Sequence, residues 1–327
     1  MYLMDNKPLV NAIKAANVHK KVGEIVRNTI KPGMALKDIA LFIEDNIKTN
    51  IEFDNNKPLD RGVAFPVGLS LNNCAAHYTP NYGDNTIILT EKDILKIDYG
   101  THINGTIIDS AFTLHFDNKY DEFIQISKDI TNYGVSLCGP DVVLGDIGQL
   151  IAEYIESKEI ILDNKVIQLK TMTELSGHSI SRYDIHAGKA VPNTRIFYPL
   201  RMQENEFYAI EPFITTGNGK NIIKEPNSHY MLTREYEKEL YNVKEDEKKL
   251  VNIILNNYYT LPFCQKWLYN INNTIDYNGL LKKLENKKIV NTYPPIYDIN
   301  KSIVSQFEHT IFIKKNGIIN LTKNDFY

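Results

Sequence analysis

The sequence predicts an α+β fold with an internal pseudo-twofold. Antiparallel strands form a central sheet, helices lie outside it, and a helical insertion interrupts the second half. Three observations predict this. The pattern Pro32…Leu36-x-Asp38-Ile39…Ile43…Ile47 returns as Pro140…Leu144-x-Asp146-Ile147…Ile151…Ile155, with an offset of 108 residues at every position. The stretch 94–109, ILKIDYGTHINGTIID, holds two apolar strands, Leu95–Thr101 and Thr106–Phe112, around Asn104-Gly105, which suits a two-residue type I′ turn. From about Tyr230 to Ile289 the texture changes to Lys, Glu, Asn and Tyr with helical periodicity. The expected organisation is a core over 1–229, an insertion over 230–290, and the closing core strands over 291–327.

Size and charge narrow the classes. A chain of 327 residues exceeds one comfortable core, which fits one domain plus an insertion. The net charge is −3 and no long basic run is present, which argues against direct nucleic-acid binding. No stretch of about 18 apolar residues exists, so no membrane-spanning helix is expected. The N-terminus, MYLMDNKPLV, lacks the basic-then-apolar pattern of a signal peptide. Cys74, Cys138 and Cys264 are odd in number and far apart, which is neither a disulfide framework nor a zinc knuckle. A cytoplasmic monomer is the expectation. The abundance of Asn, Ile, Lys and Tyr reads as coding bias.

In chain order, Asp5-Asn6-Lys7-Pro8 starts a helix with a polar cap and a first-turn proline. Leu9, Ile13, Ala16, Val22, Ile25 and Val26 carry it to about Ile30, and Lys31-Pro32-Gly33 stops it. A second helix is expected over Leu36–Thr49. Turn residues flank a short strand between Gly62 and Pro80, which carries His77. After the aspartate hairpin, helices fill about 121–157, with Asp121–Leu137 as the counterpart of the first helix. The segment 167–192 holds His178 and His186. Glu206–Ile214 is expected as a strand with Glu211 near its centre, and Val304–Ile313 as a late core strand holding Glu308. Insertion helices are expected over Leu240–Tyr258, Phe263–Ile271 and Tyr277–Leu284.

Asp98, Asp109, His178, Glu211 and Glu308 are the candidate metal ligands. An odd spacing such as the eleven residues from Asp98 to Asp109 puts side chains on opposite faces of one flat strand. The Asn104-Gly105 turn brings both to one site instead. Acidic groups in apolar strands are costly unless their charge is compensated, and a divalent metal pair is an economical compensator. Four carboxylates and one imidazole suit Mn, Fe, Co or Zn. Carboxylates can bridge, and paired metals activate water and polarise a carbonyl or phosphoryl oxygen. Singly, each residue has an ordinary reading: a strand-end Asp, or a structural His. Together they are harder to dismiss, because Asp and Glu are rarely buried without partners. His77 and His186 stand outside this set, as proton-passing or oxyanion-stabilising groups or as structural ones.

At these residues the chain resembles the type 2 methionine aminopeptidases. The matching stretches are FPVGLSLNNCAAHYTPNYGD, KIDYGTHINGTIIDSAF, GHSISRYDIHAGKAVPN, FYAIEPF and YPPIYDINKSIVSQFEHTI. Together they span from about residue 10 to Tyr327. The insertion after Ser228-His229-Tyr230-Met231, with TLPFCQKWL inside it, resembles type 2 rather than type 1. The resemblance implies the pseudo-twofold pita-bread fold of creatinase and the aminopeptidases, and two divalent metal ions (Co, Mn, Fe or Zn). It implies that Asp98 chelates one metal, that Asp109 and Glu308 bridge both, and that His178 and Glu211 complete the other.

Glu211 is then the proton acceptor for the attacking water. His186 assists at the scissile carbonyl, and His77 contacts the substrate near the scissile bond. Phe65, Ile185, His229 and Tyr293 shape the methionine pocket. The expected substrates are N-termini of nascent proteins with a small second residue, and fumagillin-type epoxides are expected to alkylate His77. Pro262 stands where a small residue such as Ala is expected in the pocket wall. The long charged N-terminal extension of eukaryotic members, linked to ribosome association, has no counterpart in this sequence, so that partnership is not carried over. Xaa-Pro cleavage, and a non-catalytic binding protein of the same superfamily, are the competing readings.

Overall fold

A helix of 23 residues, α1 (Lys7–Thr29), lies along the back of the longest hairpin in the computed structural model, which describes residues 7–324. The expected cap residues Asp5 and Asn6 lie outside the described residues. Its buried face includes the small residues Ala12, Ala15, Ala16 and Gly23, which allow close approach to a strand. A Cβ on Gly23 would sit 2.9 Å from the Tyr99 hydroxyl. Polar contacts fix the register. The Tyr99 hydroxyl donates to the His19 carbonyl at 2.9 Å, and the Thr101 hydroxyl donates to the Ala15 carbonyl at 3.0 Å.

The hairpin pairs Ile94–Ile103 with Thr106–His115, register Ile103 to Thr106. Asn104 and Gly105 both have positive φ, 50° and 76°, as a type I′ turn requires. Side chains alternate along the strand, so Tyr99 and Thr101 face α1 while Asp98 and Gly100 face the other way. Arg61–Val63 and Gly68–Leu71 complete this four-stranded sheet.

The repeat appears as geometry. α2 (Leu36–Asn50) and α4 (Leu144–Glu156) start at positions 108 apart. The Gly33 and Leu36 N–H groups donate to the Leu89 and Ile87 carbonyls. The Asp141 and Leu144 N–H groups donate to the Met202 and Leu200 carbonyls in the same pattern. Gly33 and Asp141 both take positive φ, 94° and 64°. α3 (Asp121–Ser136) packs on α4 as α1 packs on α2.

The second half builds a five-stranded sheet in the order 190–191, 177–180, 207–210, 309–314, 317–320. Side-chain and main-chain hydrogen bonds join the second half to the hairpin of the first. The Asp109 N–H donates to the Thr310 hydroxyl at 2.9 Å, the Glu308 N–H to the Ala111 carbonyl at 2.9 Å, and the Thr113 hydroxyl to the Gln306 carbonyl at 2.7 Å.

Two expected strands are each divided. Phe207–Ile210 pairs with His309–Lys314, and Phe213–Thr215 pairs with Val304–Gln306 in a separate sheet. Glu211 and Glu308 sit at the breaks rather than at strand centres. Pro212 supplies part of the reason, since it has no N–H for the ladder.

The insertion has its own apolar cluster, including Leu250, Ile254, Phe263, Leu268, Leu281 and Leu284. Its main helices are Glu245–Asn257, Gln265–Ile271 and Tyr277–Asn286. The first starts later than expected, because Glu247 accepts from the Lys244 N–H at 2.7 Å and fixes the helix start there. Phe263-Cys264 is extended, not helical, and pairs with His229-Tyr230. Lys266 reaches the buried Glu44 of α2 at 2.8 Å and ties the insertion to the core.

Candidate metal centre

The site lies where the two half-sheets meet. In the hairpin ladder Asp98 opposes Ala111 and Asp109 opposes Gly100, so the two carboxylates are diagonal neighbours on one face. The tight turn makes this possible despite their odd spacing. His178 comes from the strand Gly177–Ile180, held against Ala209. A Cβ on Gly177 would lie 2.3 Å from the Ala209 carbonyl oxygen, so only glycine lets the strand close at that point. Glu211 and Glu308 project from the two strand breaks.

These five side chains converge. The ligand atoms of Asp109, His178 and Glu308 lie within 4.8 Å of one another. His178 Nε2 is 3.3 Å from Glu211 Oε1 and 3.5 Å from Asp109 Oδ2. Gln306, absent from the sequence-based candidates, links the remaining two carboxylates. Its amide donates to Glu211 Oε2 at 3.1 Å and to Asp98 Oδ2 at 3.4 Å. It lies two residues before Glu308 in a strand-like run, a signal that could have marked it.

Electrostatics shows what the site lacks. Burial, then the charges of Asp98 and Glu211, pushes Asp109 well above the ordinary carboxylate range. Burial and Asp98 do the same to Glu211. Burial and the neighbouring Asp109, Glu211 and Asp98 raise Glu308. Asp98 rises to about 6 through burial, opposed by the Gln306 amide. Burial lowers His178 to about 4, which leaves a neutral imidazole with a free lone pair. Asp98 Oδ1, Asp109 Oδ1 and both Glu308 oxygens are enclosed without a hydrogen-bond partner. Buried carboxylate oxygens are costly unless paired. Unpartnered oxygens around a neutral imidazole fit divalent cations, which compensate the charge and accept these donors.

Replacing Gln306 by Leu removes the amide that aligns Asp98 with Glu211. Metal affinity is expected to fall roughly 10- to 100-fold, measured by calorimetric titration of the metal-free protein. An unchanged affinity would show that the two carboxylates hold their positions without it.

An apolar pocket opens beside the ligands. Phe65, Pro66, Ile185, His229, Pro262 and Tyr293 line it, with His77 and His186 at the ligand end. Gly100 makes room for one wall, since a Cβ there would be 2.2 Å from the Phe65 ring. His229 is held by the Ser228 hydroxyl at 3.0 Å and the Pro66 carbonyl at 3.3 Å. The His77 ring lies 5.9 Å from that of His229 and 5.8 Å from that of Tyr293. His77 sits at φ 65°, a costly conformation for a residue with a Cβ, which aims the ring into the site. The His186 ring stands edge-on to His178 at 4.5 Å. Burial lowers His77 to about 4 and His186 to about 3, so both rings are neutral at pH 7. A wider recess of about 360 Å³ continues from the ligands past Glu174, Gly188, Lys189 and Tyr198.

Comparison with known proteins agrees with this geometry. The model of metallopeptidase family M24 matches residues 11–235. A Kluyveromyces lactis protein named methionine aminopeptidase 2 is 41% identical over 319 residues, covering 96% of this chain and 75% of that one. An Arabidopsis thaliana protein named methionine aminopeptidase 2A is 40% identical, covering 98% and 72%. The crystal structure of a methionine aminopeptidase from Rickettsia prowazekii superposes with a TM-score of 0.65 at 19% identity, covering 97% of each chain, which shows the shared fold.

Proposed function

This chain belongs to metallopeptidase family M24 and, within it, with the methionine aminopeptidase 2 proteins; from that premise we propose that it hydrolyses N-terminal methionine from peptides and proteins whose second residue is small. One observation carries the reading. Carboxylate oxygens without partners, around a neutral imidazole, border an apolar pocket that ends at two neutral histidines.

Asp98, Asp109, His178, Glu211 and Glu308 would hold two divalent ions. When bound, such ions supply Lewis-acid polarisation of the scissile carbonyl and a water of lowered pKa. The chain's own residues do the rest. Phe65, Ile185, His229 and Tyr293 take the methionine side chain by apolar burial, and Pro262 closes the wall. Glu211, held by Gln306, accepts the proton of the attacking water. His186 donates a hydrogen bond to the carbonyl oxygen as negative charge develops there. His77 orients the substrate next to the scissile bond, and the recess along Lys189 and Tyr198 leaves room for the peptide beyond it. A neutral imidazole is also a nucleophile, which supports His77 as the residue alkylated by fumagillin-type epoxides. The substrates of this reading are nascent N-termini in the cytoplasm.

The test is methionine release from Met-Ala-Ser beside cleavage of Gly-Pro, with metal-stripped protein reloaded with Mn, Co, Fe or Zn. Metal-dependent release from Met-Ala-Ser, with an epoxide adduct on His77 by mass spectrometry, is the expected result. Cleavage of Gly-Pro alone would favour Xaa-Pro chemistry. A protein that takes up no metal would be a binding protein of this fold.

A further inference from the structure

Ile185 and His186 sit on a segment that regular structure does not hold. Residues 181–189 run between the strands Gly177–Ile180 and Ala190–Val191, and form no helix or strand beyond a single bridge from Ser181 to Asp184. A functional side chain on such a loop is only as well placed as the contacts that anchor the loop.

The core supplies one set of anchors. The Tyr183 N–H donates to the Gly105 carbonyl at 2.8 Å, and the Tyr183 hydroxyl donates to the Leu59 carbonyl at 2.7 Å. Ile185 is buried in an apolar cluster with Phe65 and Leu261. The insertion supplies a second set. The Thr260 hydroxyl donates to the Tyr183 carbonyl at 2.6 Å. Tyr259 stands edge-on to Tyr183, with ring centroids 5.4 Å apart. Arg234 Nη2 donates to Asp184 Oδ2 at 3.0 Å and also to the His186 carbonyl. One guanidinium nitrogen thus bridges the residues on either side of Ile185. The Arg234 side chain is exposed, and exposed ion pairs add little to stability. What these contacts supply is orientation of the segment.

We propose that Arg234 and Thr260 are positioning residues, through which the insertion holds segment 181–188 so that the His186 imidazole meets the scissile carbonyl. The proposal rests on the reading of His186 given above. It gives the insertion a part in the reaction besides the pocket wall at Pro262.

The experiment measures methionine release from Met-Ala-Ser by the Mn-loaded chain in Arg234→Met, Arg234→Lys and Thr260→Val, and hydrogen exchange of the metal-free forms by mass spectrometry. A misplacement of about 1 Å can cost about 100-fold in rate, so partial loosening should lower kcat about tenfold in Arg234→Met. KM should change by less than about twofold, because Ile185 stays packed. Arg234→Lys, which keeps a donor, should recover part of the loss. Amides of 181–188 should exchange at least about threefold faster in Arg234→Met and Thr260→Val, with those of the helix Glu245–Asn257 unchanged. The decisive readout is Arg234→Met in a His186→Ala background, where a residue that acts through His186 should cost less than about twofold more. A further loss of about tenfold in that background, or an unchanged kcat in both Arg234→Met and Thr260→Val of an active protein, would overturn this proposal alone. A wild type that releases no methionine would overturn the functional reading and this proposal with it.

Discussion

Glu308→Gln is expected to abolish methionine release while raising the melting temperature of the metal-free protein. Both effects have one cause. Glu308 is 1% exposed, neither of its oxygens has a partner, and Asp109, Glu211 and Asp98 crowd it. Without metal, that carboxyl is pushed well above its ordinary value of 4.5. A carboxyl with a raised folded pKa contributes stability that is fully present below the unfolded value and is lost as pH rises toward the folded value. Glutamine does not titrate, so its advantage should be absent near pH 4 and grow above about pH 4.5. At pH 7 a gain of roughly 2 °C or more is expected.

With metal present the order reverses, because the variant has lost an anionic ligand from the centre. Its kcat/KM should fall by at least about 1,000-fold, a loss of about 4 kcal/mol of transition-state stabilisation. Calorimetric melting of both proteins with and without Mn, from pH 4 to 8, checks the stability claim. Equal metal-free melting points at every pH would show that the carboxylate crowding is not felt.

His186→Ala is expected to lower kcat about 100-fold or more, within the range for a positioned proton-transfer or hydrogen-bonding group, with metal content and melting point unchanged. The ring touches His178 edge-on but holds none of the carboxylates. Its main-chain carbonyl is fixed by Arg234 and its neighbour Ile185 is buried, so removing the imidazole leaves the segment anchored. The assignment to carbonyl stabilisation predicts a fall in kcat with little change in KM. His186→Gln, which keeps an N–H donor, should recover part of the loss. A large change in KM or in metal content would instead make His186 a support for the pocket or for His178.

The wall formed by Phe65 shows how far local sequence reaches. Apolar spacing foretold α2 and α4, and the constant offset foretold their relationship, to which the structure adds a shared positive φ at Gly33 and Asp141. The Asn104-Gly105 turn foretold that Asp98 and Asp109 share a face. The breaks at Glu211 and Glu308 were not legible, since FYAIEPFI and VSQFEHTIFI each read as one continuous strand. They break because each strand serves two sheets, and its partner lies almost a hundred residues away. Gln306 was passed over for the same reason, as its two acceptors come from distant parts of the chain.

The sequence by itself determined most of the element types, the internal repeat and the aspartate hairpin, and it supplied the five candidate ligands, because each rests on periodicity or on a run of neighbouring residues. Only the tertiary structure decided that Asp109, His178 and Glu308 meet within 4.8 Å and that Gly100 leaves space for Phe65. Those facts depend on the seam where Thr310, Ser110 and Thr113 join the two halves by side-chain hydrogen bonds. A hydrogen bond across some two hundred residues leaves no periodic trace in either partner's own stretch of chain.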